Sequence, residues 1–145
     1  MKNQAIDALY NQAIDALYGI GPFLLYFIPA IVLVLIFMWV YTKFTPYNEG
    51  ELIRENNVAA AITYIGALLG FTFPLASALA NSVNVVDFVV WSVVAGVAQL
   101  VTFVTFRAFY PMIADRVKAG EVAATLKLAG WSVMVGILNA AAITY

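Results

Sequence analysis

Four polar side chains, Gln99, Lys127, Arg107 and Asn139, lie inside or at the edge of otherwise apolar stretches. In hydrocarbon each such group needs a partner, so these positions are where binding or passage would leave a mark. Gln99 falls near the middle of its stretch and calls for a hydrogen-bond partner on another helix, either as interhelical glue or as the lining of a pathway. Lys127 enters its stretch by about one and a half turns. A lysine at a helix centre costs about 2.5–3.5 kcal/mol on insertion. At this shallower depth it can snorkel to the head groups, or pair with Glu49, Glu51 or Glu55, or with an anionic lipid phosphate. Arg107 is closer still to the interface and reads the same way. Asn139 and Asn81 sit toward the opposite side, where Asp87 suits the first turn of a helix as a cap rather than as an ion site.

Other chemistries are closed off. The chain has no cysteine and no histidine, which removes disulfides, thiolate sites, the imidazole base and the commonest metal ligand. No metal or cofactor motif is present, and an enzymatic role is not expected. Seven Lys and Arg against eight Asp and Glu, a net charge of −1, provide no basic field for nucleic acid.

What must position these groups is a helical bundle in lipid. The 145 residues are 64% hydrophobic and 10% charged, with a mean hydropathy of +0.93, beyond the range of a soluble domain. Four apolar stretches, near Pro22–Thr42, Val58–Ala80, Phe88–Tyr110 and Val122–Thr144, each exceed the roughly 18 residues that a spanning helix needs. In lipid the backbone must satisfy its own hydrogen bonds, which selects helices; barrel strands would alternate in polarity. Close helix contact is signalled by Gly66-x-x-x-Gly70 in the second span and by Ser132-x-x-x-Gly136-x-x-x-Ala140 in the fourth. Pro74 frees the Gly70 carbonyl beside that side-chain-free surface, for packing or for a cation. Trp39 and Trp91 suit opposite interfaces, whereas Trp131 falls near the midplane and points to a contact between helices or subunits.

Between the first two spans lies TPYNEGELIRENN, residues 45–57. Pro46 stops the first helix, and Asn48 with Glu51 reads as a capping signal for a short helix. Leu52 and Ile53 can dip toward lipid while Glu49, Glu51, Arg54 and Glu55 stay wet, as a turnaround or as a surface for a cytoplasmic partner. A second elbow follows the third span. FTPYNEGELIRENNVAAAI and FYPMIADRVKAGEVAATL share F-x-P, a charged amphipathic stretch and V-A-A, with Gly66 matched to Gly130. The fold expected is therefore an all-α membrane protein with four transmembrane helices as two tandem parallel helical-hairpin repeats, about 22–81 and 87–145, in a domain over 20–145.

Residues 1–19 contain the doubled octapeptide NQAIDALYNQAIDALY. Ile6, Leu9, Tyr10, Ala13, Ile14 and Leu17 share one face, so this segment is expected to be an amphipathic helix on the outer surface or against a neighbouring subunit. Lys43, Arg54, Arg107, Arg116, Lys118 and Lys127 lie in or beside the two elbows, and only Lys2 lies on the other side. That asymmetry places the elbows in the cytoplasm and both termini outside it. The first span lacks a basic leader and a closely following cleavage site, so it is expected to be retained.

From Tyr41 onward the chain resembles the bacterial inner-membrane proteins of domain-of-unknown-function family 350, the YjfL-like group. The residues that carry this are YTKFTPYNEGELIRENNVAAA, GALLGFTFPLASA with Asn81, then Asp87, Trp91, Gln99, Arg107 and Pro111, and NAAAITY at the end. The resemblance implies a four-helix plasma-membrane protein with a tandem two-helix repeat, whose relatives often sit beside stress-associated PspA-like genes and glutathionylspermidine-synthase-like genes. It implies no activity, cofactor or catalytic residue.

Two functions remain in view. One is an oligomerising membrane scaffold or envelope-stress-associated partner, bound to the bilayer, to copies of itself and to a cytoplasmic membrane-stress protein. The other is a subunit of a small oligomeric channel or transporter, which would need Gln99, Thr102, Thr105 or Asn139 on a shared axis.

Overall fold

The computed structural model describes the backbone of residues 2–143 and the side chains of 6–143. It is helical throughout, with six helices in chain order: α1 (Lys2–Phe44), α2 (Glu49–Arg54), α3 (Val58–Asn81), α4 (Val85–Phe109), α5 (Ile113–Lys118) and α6 (Val122–Ala142). Four of them, α1, α3, α4 and α6, are long and apolar enough to cross a membrane. Helices α3, α4 and α6 have 24, 25 and 21 residues, which is about 32–38 Å and matches a hydrocarbon core of about 30 Å with modest tilt. The short helices α2 and α5 lie together at one end, the elbow end. The Ser82–Asn84 link between α3 and α4 closes the other, the hairpin end.

Helix α1 is a single run of 43 residues, about 64 Å long. It continues without a break through the expected junction between the amphipathic segment and the first span, and carries Pro22 and Pro29 inside it. Each proline removes one backbone donor, but the residues on both sides favour helix strongly enough to continue. The first core contact of α1 is Tyr26, whose ring meets Phe88 edge-on at 6.2 Å. Phe88 lies in the first turn of α4, at the hairpin end. Residues 6–25 therefore project past the bundle as roughly 30 Å of helix. Below that level Phe37 stacks on Phe71 at 4.2 Å, and Tyr41 meets Phe103 edge-on at 5.4 Å. Aromatic pairs thus hold α1 in the groove between α3 and α4.

Helix α3 is the hub. It packs on α1, α4 and α6, and its contact with α6 is by far the most extensive. Small residues allow this. A Cβ at Gly66 would stand 2.6 Å from Ala129 Cα, and one at Gly136 would stand 2.7 Å from Gly70 Cα. The two small-residue motifs therefore face each other. Pro74 offers no N–H to the Gly70 carbonyl, and that oxygen occupies the space where a Gly136 side chain would be. That oxygen therefore faces the backbone of α6 at Gly136.

Both elbows end in the same backbone motif. In the first, Asn57 N–H donates to Leu52 C=O and Asn56 N–H to Ile53 C=O, with Asn56 left-handed at φ 61°. In the second, Glu121 N–H donates to Arg116 C=O and Gly120 N–H to Val117 C=O, with Gly120 at φ 77°. Each is a Schellman-type termination, which requires a left-handed residue and explains an Asn in one elbow and a Gly in the other. The correspondence does not reach the packing surface. Ala129, not Gly130, faces Gly66, and a Cβ at Gly130 would meet nothing within 4 Å.

Candidate functional site

The elbow end holds a buried carboxyl. Asn48 caps α2, its side-chain oxygen accepting from Glu51 N–H at 3.3 Å, which sets the short helix across the base of the bundle. Leu52 and Ile53 then pack against the core rather than toward lipid. The same rotation turns Glu49, the first residue of α2, inward. Its side chain is 1% exposed, and neither carboxyl oxygen has a hydrogen-bond partner among the described residues. This corrects the expectation that Glu49 stays wet and available to a cytoplasmic protein. A helix only six residues long must bury one side to dock, and the side bearing Leu52 and Ile53 also carries Glu49. Glu51, Arg54 and Glu55 are exposed, and Arg54 Nε donates to Gly50 C=O at 3.1 Å.

Burial raises the Glu49 carboxyl from 4.5 to about 8; the Tyr41 hydroxyl nearby, without hydrogen-bond geometry, offsets the rise in part. Tyr47, in the link before α2, is pushed up to about 12, first by burial; the Thr63 hydroxyl opposes this and the Glu49 charge adds to it. A carboxyl among Tyr41, Tyr47 and Thr63, with no cation against it, favours its neutral form.

Above this group a narrow polar seam runs into the bundle. A cavity of about 10 Å³ has Tyr41, Thr63, Gln99, Thr102 and Ser132 among its walls. Gln99 is 2% exposed. Its amide nitrogen donates to the Ser132 hydroxyl and, at 3.3 Å, to the Ser132 carbonyl, linking α4 to α6. Its amide oxygen has no hydrogen-bond partner among the described residues. Ser132 lies on the face of α6 that meets Gly70, so the absent side chain at Gly70 makes room for the amide. Asn139 is half-buried further toward the hairpin end, its side-chain nitrogen also without a hydrogen-bond partner among the described residues. It is not part of this cavity.

The remaining polar positions cluster elsewhere. Lys127 Nζ donates to the Tyr110 hydroxyl at 2.5 Å and stands 4.0 Å from that ring's centre. It does not pair with Glu49, Glu51 or Glu55. Glu49 is sealed inside, whereas the tyrosine ring lies within reach of a lysine stem on α6. Arg107 is exposed in the last turn of α4. Trp131 is 43% exposed and leans on Phe106 of α4 at 6.2 Å. It joins two helices of one chain and leaves one side bare.

Two contacts depend on how the elbows fold against each other and on themselves. The Asn57 side chain caps α3 by accepting from Ala60 N–H, and its nitrogen donates to the carbonyls of Val117 and Lys118 at 3.1 and 3.2 Å. One asparagine thereby clasps the two elbows. Arg116 Nε donates to Glu121 at 2.6 Å, bracing the second elbow across its own turn.

The family model described as Domain of Unknown Function (DUF350) matches residues 14–143. The UPF0719 inner membrane protein YjfL of Escherichia coli strain K12 is similar to this chain. The two are 37% identical over 120 residues, covering 83% of this chain and 91% of the relative. The YjfL protein of Escherichia coli O157:H7 gives the same values. No solved structure matches. The family match takes in the buried Glu49, the seam at Gln99 and every helix from Ile14 of α1 onward, and the chain belongs to the DUF350 family.

Proposed function

We propose that this chain is an integral protein of the bacterial inner membrane that assembles with copies of itself and serves as a scaffold at the membrane, in association with the envelope-stress response. The carrying observation is the projecting half of α1. Its apolar face is bare: Leu9 is 66% exposed and Leu17 66% exposed, with Ile6 and Tyr10 beside them. A 43-residue helix is far longer than the bilayer is thick. That face therefore leaves the hydrocarbon and needs cover, which the same stripe on a second copy supplies through a self-complementary contact.

The basic residues at the elbow end support an orientation with the elbows in the cytoplasm and the projecting helix outside. In that orientation Glu51, Arg54 and Glu55 are the charges of the first elbow that a cytoplasmic protein could meet. A channel built from several copies has less support: of the four side chains it could use, Gln99 and Thr102 are buried within one chain, Asn139 is half-buried and Thr105 is exposed. No catalytic step enters this reading.

The test is the mass of the complex in native membrane extract. The intact chain should run as a multimer, and Leu9→Asp with Leu17→Asp should reduce it to a single copy that still melts cooperatively. A monomeric mass for the unaltered chain contradicts the proposal.

A further inference from the structure

The second elbow carries a groove that the self-assembly reading does not use. Helices α4, α5 and α6 and the Tyr110–Met112 link enclose two adjoining recesses of about 290 and 300 Å³. They share Phe106, Phe109, Tyr110 and Lys127 as walls, so they are lobes of one groove; Arg116 closes the first lobe and Trp131 the second. One end of the groove is cationic and the other aromatic.

The two ends suit one kind of molecule. Lys127 commits one of its three donors to the Tyr110 hydroxyl, which leaves two for an oxyanion. Arg116 donates to Glu121 through Nε, so its terminal nitrogens are not taken up by that pair. The wall is apolar and open sideways: Phe109 and Met112 are strongly exposed and Trp131 is half bare. In a spanning bundle Phe109 and Met112 face lipid at interfacial depth and Trp131 faces it deeper along α6, where a soluble anion would gain nothing from them. Basic pockets between transmembrane helices at this level recognise phospholipid head groups.

We propose that this groove binds an anionic phospholipid, its phosphate on Lys127 and Arg116 and its glycerol and upper chains against Phe109, Tyr110 and Trp131. The inference requires that α4 and α6 span the membrane, and it is independent of how many copies assemble.

The full chain, purified in mild detergent, is offered equal phosphatidylglycerol and phosphatidylcholine, and retained lipid is counted by native mass spectrometry. The unaltered protein should prefer phosphatidylglycerol. The preference should fall about fivefold in Lys127→Gln and by a similar factor in Arg116→Gln, while Lys127→Arg keeps it. Lys118→Gln, exposed on α5 outside the groove, should change it less than about twofold. All of these side chains are exposed; because Arg116 also braces the elbow through Glu121, retention is compared among variants that melt at the temperature of the unaltered chain. Equal retention of the two lipids, a loss in Lys118→Gln as large as in Lys127→Gln, or displacement of the lipid by inorganic phosphate would overturn the proposal.

Discussion

Replacing Glu49 by glutamine tests the buried carboxyl directly. In the docked elbow the group is raised from 4.5 to about 8; when α2 detaches, it meets water and returns toward the ordinary value. Below about pH 4.5 both states are protonated, and docking carries no penalty from this group. Between about 4.5 and about 8 the detached state ionises while the docked state stays neutral, so docking weakens steadily as pH rises. Above about 8 both are charged and the loss is complete. The displacement corresponds to roughly 4–5 kcal/mol as an upper bound. The groups facing Glu49 are Tyr41 from α1, Tyr47 from the link and, through Tyr47, Thr63 from α3. Lys43 lines the recess outside the elbow but leans over Trp39. Hydrogen exchange read as protection factors across residues 47–56 follows the equilibrium. In the unaltered chain, protection of α2 should fall between pH 5 and pH 8. In Glu49→Gln it should stay flat and exceed the unaltered chain at pH 8. Equal pH dependence in the two proteins would refute the assignment.

Three further outcomes follow from the packing. Gly136→Ala sets a methyl group on the Gly70 backbone and should lower stability in detergent by about 1–3 kcal/mol, read by thermal melting. Gln99→Leu removes the α4–α6 hydrogen bonds to Ser132; it should cost about 0.6–1.7 kcal/mol without altering ion flux in proteoliposomes. Asn57→Ala loses a helix cap and the clasp on Val117 and Lys118. It should cost about 1–2 kcal/mol and raise hydrogen exchange in both elbows together.

The architecture was readable because lipid imposes simple demands. Long apolar runs must be helices, and Pro46, Asn48 and the Asn56-Asn57 pair mark where the chain turns. A buried amide such as Gln99 demands a partner on another helix for desolvation reasons alone. That the partner is Ser132 depends on the register of α6 against α4, which no local pattern encodes. Glu49 was misread for the same reason. Among Asn48, Gly50 and Glu51 it has every local mark of a solvated residue. Only the docking of α2 beneath Tyr41 and Thr63 buries it. The continuity of α1 was obscured by Pro22, which suits a helix start as readily as a tolerated interior position. Lys127 found Tyr110 because α4 ends beside the start of α6, a proximity that follows from the second elbow's fold.

The central claim is a bundle whose two elbows lie in the cell interior and whose long first helix emerges on the far side. The chain contains no cysteine, so single cysteines can be placed without background. A membrane-impermeant thiol reagent applied to intact spheroplasts should label Asp15→Cys and Val83→Cys at once, and Arg54→Cys and Lys118→Cys only after the membrane is opened. Labelling of Arg54→Cys or Lys118→Cys in sealed spheroplasts would contradict the account.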